Sequence, residues 1–375
     1  MEYRNLDSEK VSLLGFGCMR FPCTSDGKID EEEATKMLDL ARNSGVNYFD
    51  TAYPYHNKES EPFVGKYLSK LTRESFYVAT KLPYWEVHCI EDAKRIFESQ
   101  LERLQVDYVD FYLIHALNKG RWEEMESYGV YDYCAQLKKE GKIKHLGFSF
   151  HDDYQAFETI ITAKQWDFCQ IQYNYMDTEE QAGDEGYELA KRLGVPLVIM
   201  EPIKGGSLAN LPEVITNHFK KVDETRSTAS WALRWVGSHD NVKVILSGMT
   251  TMKQVEDNLK TFDVFEPLNA KEQEAVEIVT CNLKQRINNG CTGCNYCMPC
   301  PAGVNIPYNF KIWNTYGIYE NVGSTNWEWT NSIDEKEKAK NCVSCGKCET
   351  VCPQKLPIRE HLKQLQNELD LLVNK

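Results

Sequence analysis

Short apolar segments alternate with amphipathic helical segments over the first two thirds of the chain. Between the apolar segments, hydrophobic residues recur at helical spacing, as at Ala34, Met37, Leu38 and Ala41. Strands that alternate with helices form βαβ units and a parallel sheet. The apolar segments predict eight strands, at residues 13–19, 46–49, 76–80, 108–114, 145–149, 168–171, 195–200 and 242–247.

Eight units of this kind predict the α/β fold known as the (β/α)8 or TIM barrel. An open, doubly wound sheet is the alternative. It is disfavoured because no G-x-G-x-x-G sequence follows the first predicted strand.

The last third of the chain has a different pattern. Two groups of cysteines flank an aromatic-rich segment at 308–340, and the chain ends in an apolar helical stripe made by Ile358, Leu362, Leu365 and Leu369. We expect the aromatic segment to form a small core that shields the cysteines, with a substrate or partner surface as the alternative. The predicted domains are a barrel at 1–285 and a small α-rich domain at 286–375.

Composition excludes several classes of partner. The net charge of −13 and the pI near 5.2 argue against nucleic acid or an anionic membrane surface, because either favours a basic face. No run of about 18 apolar residues occurs. The first residues lack the basic-then-apolar pattern of a signal peptide. A cytoplasmic location is therefore predicted.

Polar residues follow three neighbouring predicted strands. Asp50, Lys81 and His115 each come directly after a strand, and Tyr55 lies five residues after Asp50. Taken alone, each of these residues could have a structural role, for example as a helix cap or as a hydrogen-bonded imidazole. Because the carboxyl ends of parallel barrel strands meet at one face, we expect all four in one pocket.

The chemistry of this set is defined. A tyrosine hydroxyl has a pKa near 10 in water, and a neighbouring lysine ammonium lowers that pKa. Asp50 supplies the countercharge that keeps Lys81 protonated, and His115 can orient a carbonyl oxygen. Such a group would donate a proton to a carbonyl oxygen while hydride reaches the carbon.

These residues resemble the Asp, Tyr, Lys and His tetrad of the aldo-keto reductases, and the spacing from Asp50 to Tyr55 also matches. The resemblance covers roughly residues 1–270. It implies a (β/α)8 barrel that uses NADPH or NADH to reduce an aldehyde or ketone to an alcohol, or catalyses the reverse reaction. Asp50, Tyr55, Lys81 and His115 would be catalytic, with Tyr55 as the general acid.

The same resemblance implies residues that hold the nicotinamide. Ser149 and Gln170 match positions that bind its carboxamide, although Phe150 stands where the family has Asn. Met200 stands where the family often stacks a tyrosine on the ring.

Further residues are predicted to hold the phosphates and the adenine. Glycines at 205 and 206 let the backbone approach a pyrophosphate, and small residues before a helix suit a phosphate. Gln254 stands where the family often has an Arg for the 2′-phosphate of NADPH; Lys253 or Ser247 could replace that contact. The set comprises Lys204, Gly205, Gly206, Ser247, Gly248, Met249, Lys253, Gln254, Asp257 and Asn258.

Eight of the fourteen cysteines form two groups, Cys291, Cys294, Cys297 and Cys300, and Cys342, Cys345, Cys348 and Cys352. Grouping in a reducing compartment indicates metal rather than disulfides. The second group has the C-x2-C-x2-C-x3-C-P spacing of bacterial ferredoxins. Zinc is the alternative, but zinc sites usually pair two C-x2-C units.

Two [4Fe–4S] clusters are therefore predicted. In two-cluster ferredoxins the fourth cysteine ligates the other cluster. By that logic Cys352 joins Cys291, Cys294 and Cys297 on one cluster, and Cys300 joins the first three cysteines of the second group on the other. The first group departs from the ferredoxin spacing, because two residues and not three separate Cys300 from the cysteine before it. The six scattered cysteines are expected to be core residues: Cys18, Cys23, Cys89, Cys134, Cys169 and Cys281.

Two functions remain open at this stage. The first is an enzyme whose barrel acts on a small carbonyl or alcohol. The second is an electron-transfer or redox-sensing protein, served by a ferredoxin or another redox partner, whose barrel is a docking or flavin-binding body. A hydride carries two electrons and a cluster accepts one, so a flavin would normally connect them. No flavin fingerprint occurs, although a barrel mouth can hold a flavin without one.

Overall fold

The computed structural model describes residues 1–373, which fall into two compact units. One unit comprises Met1–Gly205 and Ala229–Asn269. The other comprises Gly206–Thr228 and the chain from Ala270 onward. The domain limits 1–285 and 286–375 stay a prediction.

The secondary structure elements alternate along the first unit and become helical afterwards. The strands are β1 (Tyr3–Leu6), β2 (Glu9–Ser12), β3 (Leu14–Gly17), β4 (Tyr48–Asp50), β5 (Tyr77–Leu82), β6 (Val109–Leu117), β7 (Ile143–Phe150), β8 (Phe168–Gln172), β9 (Leu197–Met200) and β10 (Val242–Gly248). The helices are α1 (Glu31–Asn43), α2 (Ser60–Leu68), α3 (Ile90–Leu104), α4 (Lys119–Ser127), α5 (Val130–Lys139), α6 (Tyr154–Ala163), α7 (Gly183–Leu193), α8 (Glu213–Lys220), α9 (Thr228–Gly237), α10 (Met252–Asp263), α11 (Ala270–Lys284), α12 (Ile306–Tyr319), α13 (Val322–Asn331), α14 (Lys347–Val351) and α15 (Ile358–Val373).

Strands β3 to β10 form a closed parallel barrel in which each strand pairs with the next and β10 pairs with β3. The predicted (β/α)8 barrel is therefore confirmed, because all eight predicted strands exist in the predicted order. Their side chains pack both inside the barrel and against the surrounding helices. Burial on both faces explains why these strands appear in the sequence as continuous apolar runs.

A hairpin at the start of the chain was not predicted. β1 and β2 pair antiparallel, and Leu6 and Val11 pack with the residues that fill the barrel interior. These strands have four residues each, which is too short for a recognisable alternation.

Gly65 brings α2 into close contact with α3. A Cβ at this position would lie 2.1 Å from the backbone oxygen of Arg103, so only glycine fits without displacing a helix. The close approach places the side chains of α2 and α3 next to β5, beside the candidate site.

The second unit has its own aromatic core. Trp313 and Trp329 are buried in it, and their indole nitrogens donate to Glu368 and Asp370 of α15. The predicted aromatic core and the predicted apolar stripe of α15 are both confirmed. Its buried members are Val304, Ile306, Phe310, Ile312, Trp313, Trp329, Ile333, Ala339, Ile358, Leu362, Leu365 and Leu369.

The expectation that the six scattered cysteines are core residues is wrong for half of them. Cys18, Cys134 and Cys169 are buried. The other three lie on exposed positions of loops or a helix surface: Cys23, Cys89 and Cys281. Within residues 1–373, no helix is both long and apolar enough to cross a membrane.

Candidate active site and cysteine cavities

Three neighbouring barrel strands place the predicted catalytic residues at one rim. Asp50 is the last residue of β4, Lys81 is the next-to-last residue of β5, and His115 lies near the end of β6. Tyr55 follows β4 and begins a short 3-10 segment. Because β4, β5 and β6 are consecutive in the barrel, their carboxyl ends bring the four side chains to the same face.

The centre of the site is the ammonium group of Lys81. Its Nζ lies 2.7 Å from Asp50 Oδ1, 2.9 Å from the backbone oxygen of Thr51 and 3.4 Å from the hydroxyl oxygen of Tyr55. The side chains of Lys81 and Asp50 are 1% and 3% exposed, so water contributes little to their solvation. The three protons of the ammonium group thus have three protein acceptors.

Burial changes the pKa of each of these groups. Burial raises the pKa of Asp50, and the Lys81 ammonium opposes the rise. For Lys81, burial lowers the pKa, but Asp50 and Tyr55 together outweigh burial and the pKa is raised. Lys81 therefore keeps its proton at neutral pH.

The pKa of Tyr55 differs from our expectation. Burial raises the pKa of the Tyr55 hydroxyl, and Lys81 opposes this increase without reversing it. The expectation of a pKa below the ordinary value is therefore wrong, because desolvation of the phenolate outweighs the attraction of the ammonium. Tyr55 is protonated at neutral pH and can donate.

His115 completes the group as a neutral imidazole. Its ring lies 6.5 Å from the ring of Tyr55 and 5.2 Å from that of Trp85. Burial, with repulsion from Lys81, holds the pKa of His115 well below its ordinary value. A neutral imidazole offers one donor and one acceptor, and in the described part of the chain Nδ1 has no partner.

Acid is expected to destabilise the fold through its buried histidines. A folded-state pKa below the unfolded value of about 6.5 costs stability as pH falls below 6.5, because the unfolded chain binds the extra protons. The loss is at most about 1.4 kcal/mol per pH unit for a fully buried histidine, and it is smaller for a half-buried one because solvent screens the charge. Burial lowers the pKa of four histidines that are buried or half-buried: His56, His115, His145 and His239.

Urea unfolding between about pH 7.5 and about pH 5.5 measures this dependence. His115→Gln should reduce the change of the free energy of unfolding with pH by the contribution of one histidine. His88→Gln alters an exposed position and should leave that pH dependence unchanged. A free energy of unfolding that is independent of pH in this window would contradict the expectation.

The backbone after Tyr55 has an unusual conformation. His56, Asn57 and Lys58 have φ values of 49°, 53° and 75°, in the left-handed region. His56 Nε2 accepts a hydrogen bond from the Phe21 amide at 3.1 Å, which fixes this turn to the loop after β3. Such conformations cost energy and concentrate at functional sites. The turn was not predicted because none of these three residues is glycine.

A buried network supports Lys81 from behind and was also not predicted. Gln100 Nε2 donates to the backbone oxygen of Lys81 at 3.0 Å and to Glu61 Oε1 at 2.8 Å. Thr80 Oγ1 donates to the same Glu61 oxygen at 2.6 Å, and Arg103 Nε donates to Glu61 Oε2 at 2.7 Å. Because every member is hydrogen-bonded, the network can hold the end of β5 rigidly.

Of the predicted nicotinamide residues, Ser149 and Met200 lie at the ends of β7 and β9, and Gln170 lies in the middle of β8. Ser149 Oγ accepts a hydrogen bond from the Ala116 amide at 2.7 Å, and Met200 is half-buried. Gln170 is 2% exposed, and its Oε1 has no partner among the described residues. Such an orphaned acceptor fits the amide donor of a carboxamide. Phe150 packs in the core between barrel and helices and cannot replace the Asn of the family pattern.

The predicted pyrophosphate lysine has another partner. Lys204 Nζ forms an ion pair with Asp177 Oδ1, and Asp177 Oδ2 accepts from Asn174 at 2.9 Å. Gly205 and Gly206 have φ values of 62° and 102°, in a region that residues with a side chain adopt only with strain. A phosphate bound here would compete with Asp177 for the lysine.

The segment after β10 is held by its own side chains. Asn258 Nδ2 donates to Ser247 Oγ at 2.9 Å. Gln254 closes a capping box with Thr251, and its Oε1 accepts from the Thr250 amide at 2.7 Å. Gln254 thus stabilises the start of α10. The other predicted residues occupy the same turn and first helical turns: Gly248, Met249, Lys253 and Asp257.

Arg20 stands beside this segment and was not predicted. A Cβ on Gly248 would lie 2.6 Å from Arg20 Cγ, and Thr250 Oγ1 donates to the Arg20 backbone oxygen at 3.0 Å. Arg20 follows β3 at the rim where a phosphate was expected. A basic residue just after the first barrel strand was the signal available in the sequence.

The eight grouped cysteines line two adjoining cavities in the second unit. One is lined by Cys291, Cys294, Cys297 and Cys352. The other is lined by Cys300, Cys342, Cys345 and Cys348, and also by Cys297. Each cavity thus has three cysteines of one group and the last cysteine of the other, and Cys297 also borders the second cavity. Within residues 1–373, no three His, Cys, Asp or Glu side chains are close enough to hold a single metal ion.

The two cysteine loops have left-handed residues at the same two offsets. In the first loop, Gly293 and Asn295 have φ values of 69° and 63°, two and four residues after its first cysteine. In the second loop, Ser344 and Gly346 have φ values of 55° and 78° at the same two offsets. Iron–sulfur clusters are bound by cysteine sulfurs, so the four or more cysteines that line each cavity fit such a group.

Comparison with known proteins agrees with this geometry. A model of the aldo/keto reductase family matches residues 13–280, and a model of the 4Fe-4S dicluster domain matches residues 290–356. Probable aldo-keto reductase 1 from Glycine max is 26% identical over 292 residues, which are 67% of this chain and 80% of that protein. Glyoxal reductase from Bacillus subtilis (strain 168) is 29% identical over 214 residues, which are 56% of this chain and 72% of that protein.

The structure of aldo-keto reductase AKR11C1 from Bacillus halodurans, in its holo form, superposes with a TM-score of 0.61 at 27% sequence identity. The alignment covers 74% of this chain and 96% of that one. Since the first family model spans well over half of the sequence, this oxidoreductase belongs to the aldo/keto reductase family and carries a 4Fe-4S dicluster domain.

Proposed function

We propose that this protein transfers hydride between NADPH or NADH and a small carbonyl substrate, or catalyses the reverse oxidation of an alcohol. The observation that carries the proposal is the buried Lys81 ammonium, within 2.7 Å of Asp50 and 3.4 Å of the Tyr55 hydroxyl. A protonated phenol next to a fixed positive charge is suited to protonating a developing alkoxide.

Each residue has a distinct role in the proposal. Tyr55 donates its hydroxyl proton to the carbonyl oxygen, and Lys81 stabilises the phenolate that forms. Asp50 keeps Lys81 charged, and the neutral His115 donates a hydrogen bond that orients the carbonyl. The nicotinamide supplies the hydride when it is bound. In alcohol oxidation the same groups act in reverse, with Tyr55 as the base.

The cofactor would lie along the ends of β7 to β10. Ser149 and the unpartnered Gln170 would bind the carboxamide, with Met200 against the ring. The remaining predicted residues would hold the phosphates and adenine, and Lys204 would have to exchange Asp177 for a phosphate. The capping role of Gln254 leaves the 2′-phosphate of NADPH to Lys253, Ser247 or Arg20.

We further propose that the cysteine cavities hold two [4Fe–4S] clusters that exchange electrons with a separate redox partner. The proposal is supported by the positions of the fourth cysteines. Cys352 lines the cavity of the first group, and Cys300 lines the cavity of the second group. This exchange of the fourth cysteine is the arrangement of two-cluster ferredoxins.

A label experiment tests the hydride proposal. The protein is incubated anaerobically with a panel of aldehydes and either NADPH or NADH deuterated at the transferring position. We expect one deuterium at the carbinol carbon of the product, and the faster cofactor identifies the preference. Unlabelled product, or cluster reduction without product, would contradict direct transfer and favour the electron-transfer function.

A further inference from the structure

One of the two cysteine cavities opens onto an exposed apolar edge. Tyr296, Val343 and Val351 line the cavity that contains Cys342 and Cys345, and they are 68%, 69% and 47% exposed. Large apolar side chains in water beside a cysteine cavity need an explanation, because contiguous exposed apolar surface marks interaction sites.

Two cations stand at the same edge. Lys347 and Arg359 are exposed and line the same cavity. Arg359 is paired with Glu349, with Nη2 2.7 Å from Oε2, whereas Lys347 forms no ion pair within residues 1–373. We call Tyr296, Val343, Lys347, Val351 and Arg359 the cluster-edge surface.

The charge of this surface contrasts with that of the molecule. The chain has a net charge of −13. Residues 286–375, however, hold ten Lys and Arg residues against nine Asp and Glu residues. On the cluster-edge surface the charge of Arg359 is balanced by Glu349, so Lys347 supplies the positive charge that no neighbouring carboxylate pairs with among residues 1–373. A strongly acidic protein would be repelled by most of this chain and attracted here.

The other cavity has no comparable edge. Its exposed lining residues include Thr292, Asn295 and Gln354, which are polar and uncharged. Both cavities are lined by Cys297 and Ile306, so the two sites adjoin. An electron that enters at the cluster-edge surface would therefore reach the second site directly from the first.

We propose that the cluster-edge surface docks an acidic, one-electron carrier protein, and this inference rests on the proposed clusters. An apolar centre with a cationic neighbour is suited to a small, transient interface, which electron-transfer partners typically form. Opposite charges accelerate the encounter and orient the partner. The transfer moves one electron from the reduced carrier to one cluster, whose charge becomes more negative by one, and no proton or group is exchanged.

The test measures affinity, so it does not depend on the cluster potentials. A fluorescently labelled acidic [2Fe–2S] ferredoxin is titrated anaerobically with the full, iron-loaded chain at low ionic strength. Lys347→Glu is expected to weaken binding by about ten-fold, and the difference should shrink as salt is added. Val343→Ser, which removes apolar contact without changing charge, should also weaken binding.

The matched control is Lys336→Glu, an exposed lysine of the same unit that lines neither cavity. This variant should bind within about two-fold of the wild-type protein. Equal affinity of the Lys347 and Lys336 variants, or tighter binding of a basic cytochrome than of the ferredoxin, would overturn the docking proposal. Iron analysis and the label experiment report separately on the clusters and on hydride transfer.

Discussion

Tyr55→Phe is expected to lower kcat for carbonyl reduction by about a hundred-fold to ten-thousand-fold. The substitution removes the hydroxyl that lies 3.4 Å from Lys81 Nζ and leaves the ring in place. Lys81 keeps its ion pair with Asp50, so the site remains folded and charged. The loss should therefore be confined to the chemical step and leave cofactor affinity close to that of the wild-type protein.

Tyr53→Phe is the matched control for this experiment. Tyr53 lies two residues earlier, and its ring contacts the cations of Lys58 and Arg103 instead of Lys81. This variant should keep its kcat within about two-fold, since it leaves the proton donor intact. Both variants are assayed by loss of nicotinamide absorbance with one aldehyde. Full activity of Tyr55→Phe would show that the tetrad is not the catalytic centre.

Cys352→Ala is expected to lower the iron content from about eight to about four atoms per chain. Cys352 lines the cavity of Cys291, Cys294 and Cys297, so its loss should empty the same site as Cys291→Ala. Cys348→Ala should empty the other site. Paramagnetic resonance of the reduced proteins should therefore give one spectrum for the Cys352 and Cys291 variants and a different spectrum for the Cys348 variant.

Cys281→Ala controls for the general effect of removing a thiol. Cys281 is exposed on α11 and lines neither cavity, so this variant should retain its iron. If the Cys352 variant instead shared its spectrum with the Cys348 variant, each group would bind its own cluster and the exchange of fourth cysteines would be wrong. Zinc in place of iron in the wild-type protein would reject the clusters altogether.

The barrel and the convergence of the tetrad could be predicted because both depend on local patterns. A parallel barrel strand is buried on both faces and reads as an apolar run. Its carboxyl end is then marked by the next polar residue, as at Asp50 and Lys81. The eight cysteines were equally visible, because cluster ligands recur at short, regular spacing.

The supports of the site could not be predicted, because they depend on contacts between distant residues. Glu61, Thr80 and Gln100 meet behind Lys81 only after α2 and α3 have packed against β5. Gln254 and Lys204 have side chains that suit a phosphate. Gln254 instead caps its own helix, and Lys204 pairs with a carboxylate of another loop. The sequence shows which polar side chains are present, but the hydrogen-bond or ion-pair partner of each one depends on the folded structure.

The shared conformation of the cysteine loops bears on the ancestry of the second unit. Left-handed residues at identical offsets, a cysteine–proline pair after each loop and a helix beyond it indicate one ancestral segment that was duplicated. Each copy retains glycine at only one of its two left-handed positions, Gly293 in the first and Gly346 in the second. The two copies thus differ in sequence but keep left-handed residues at the same offsets. The aromatic segment between the two copies supplies a core against which cysteines of both copies pack.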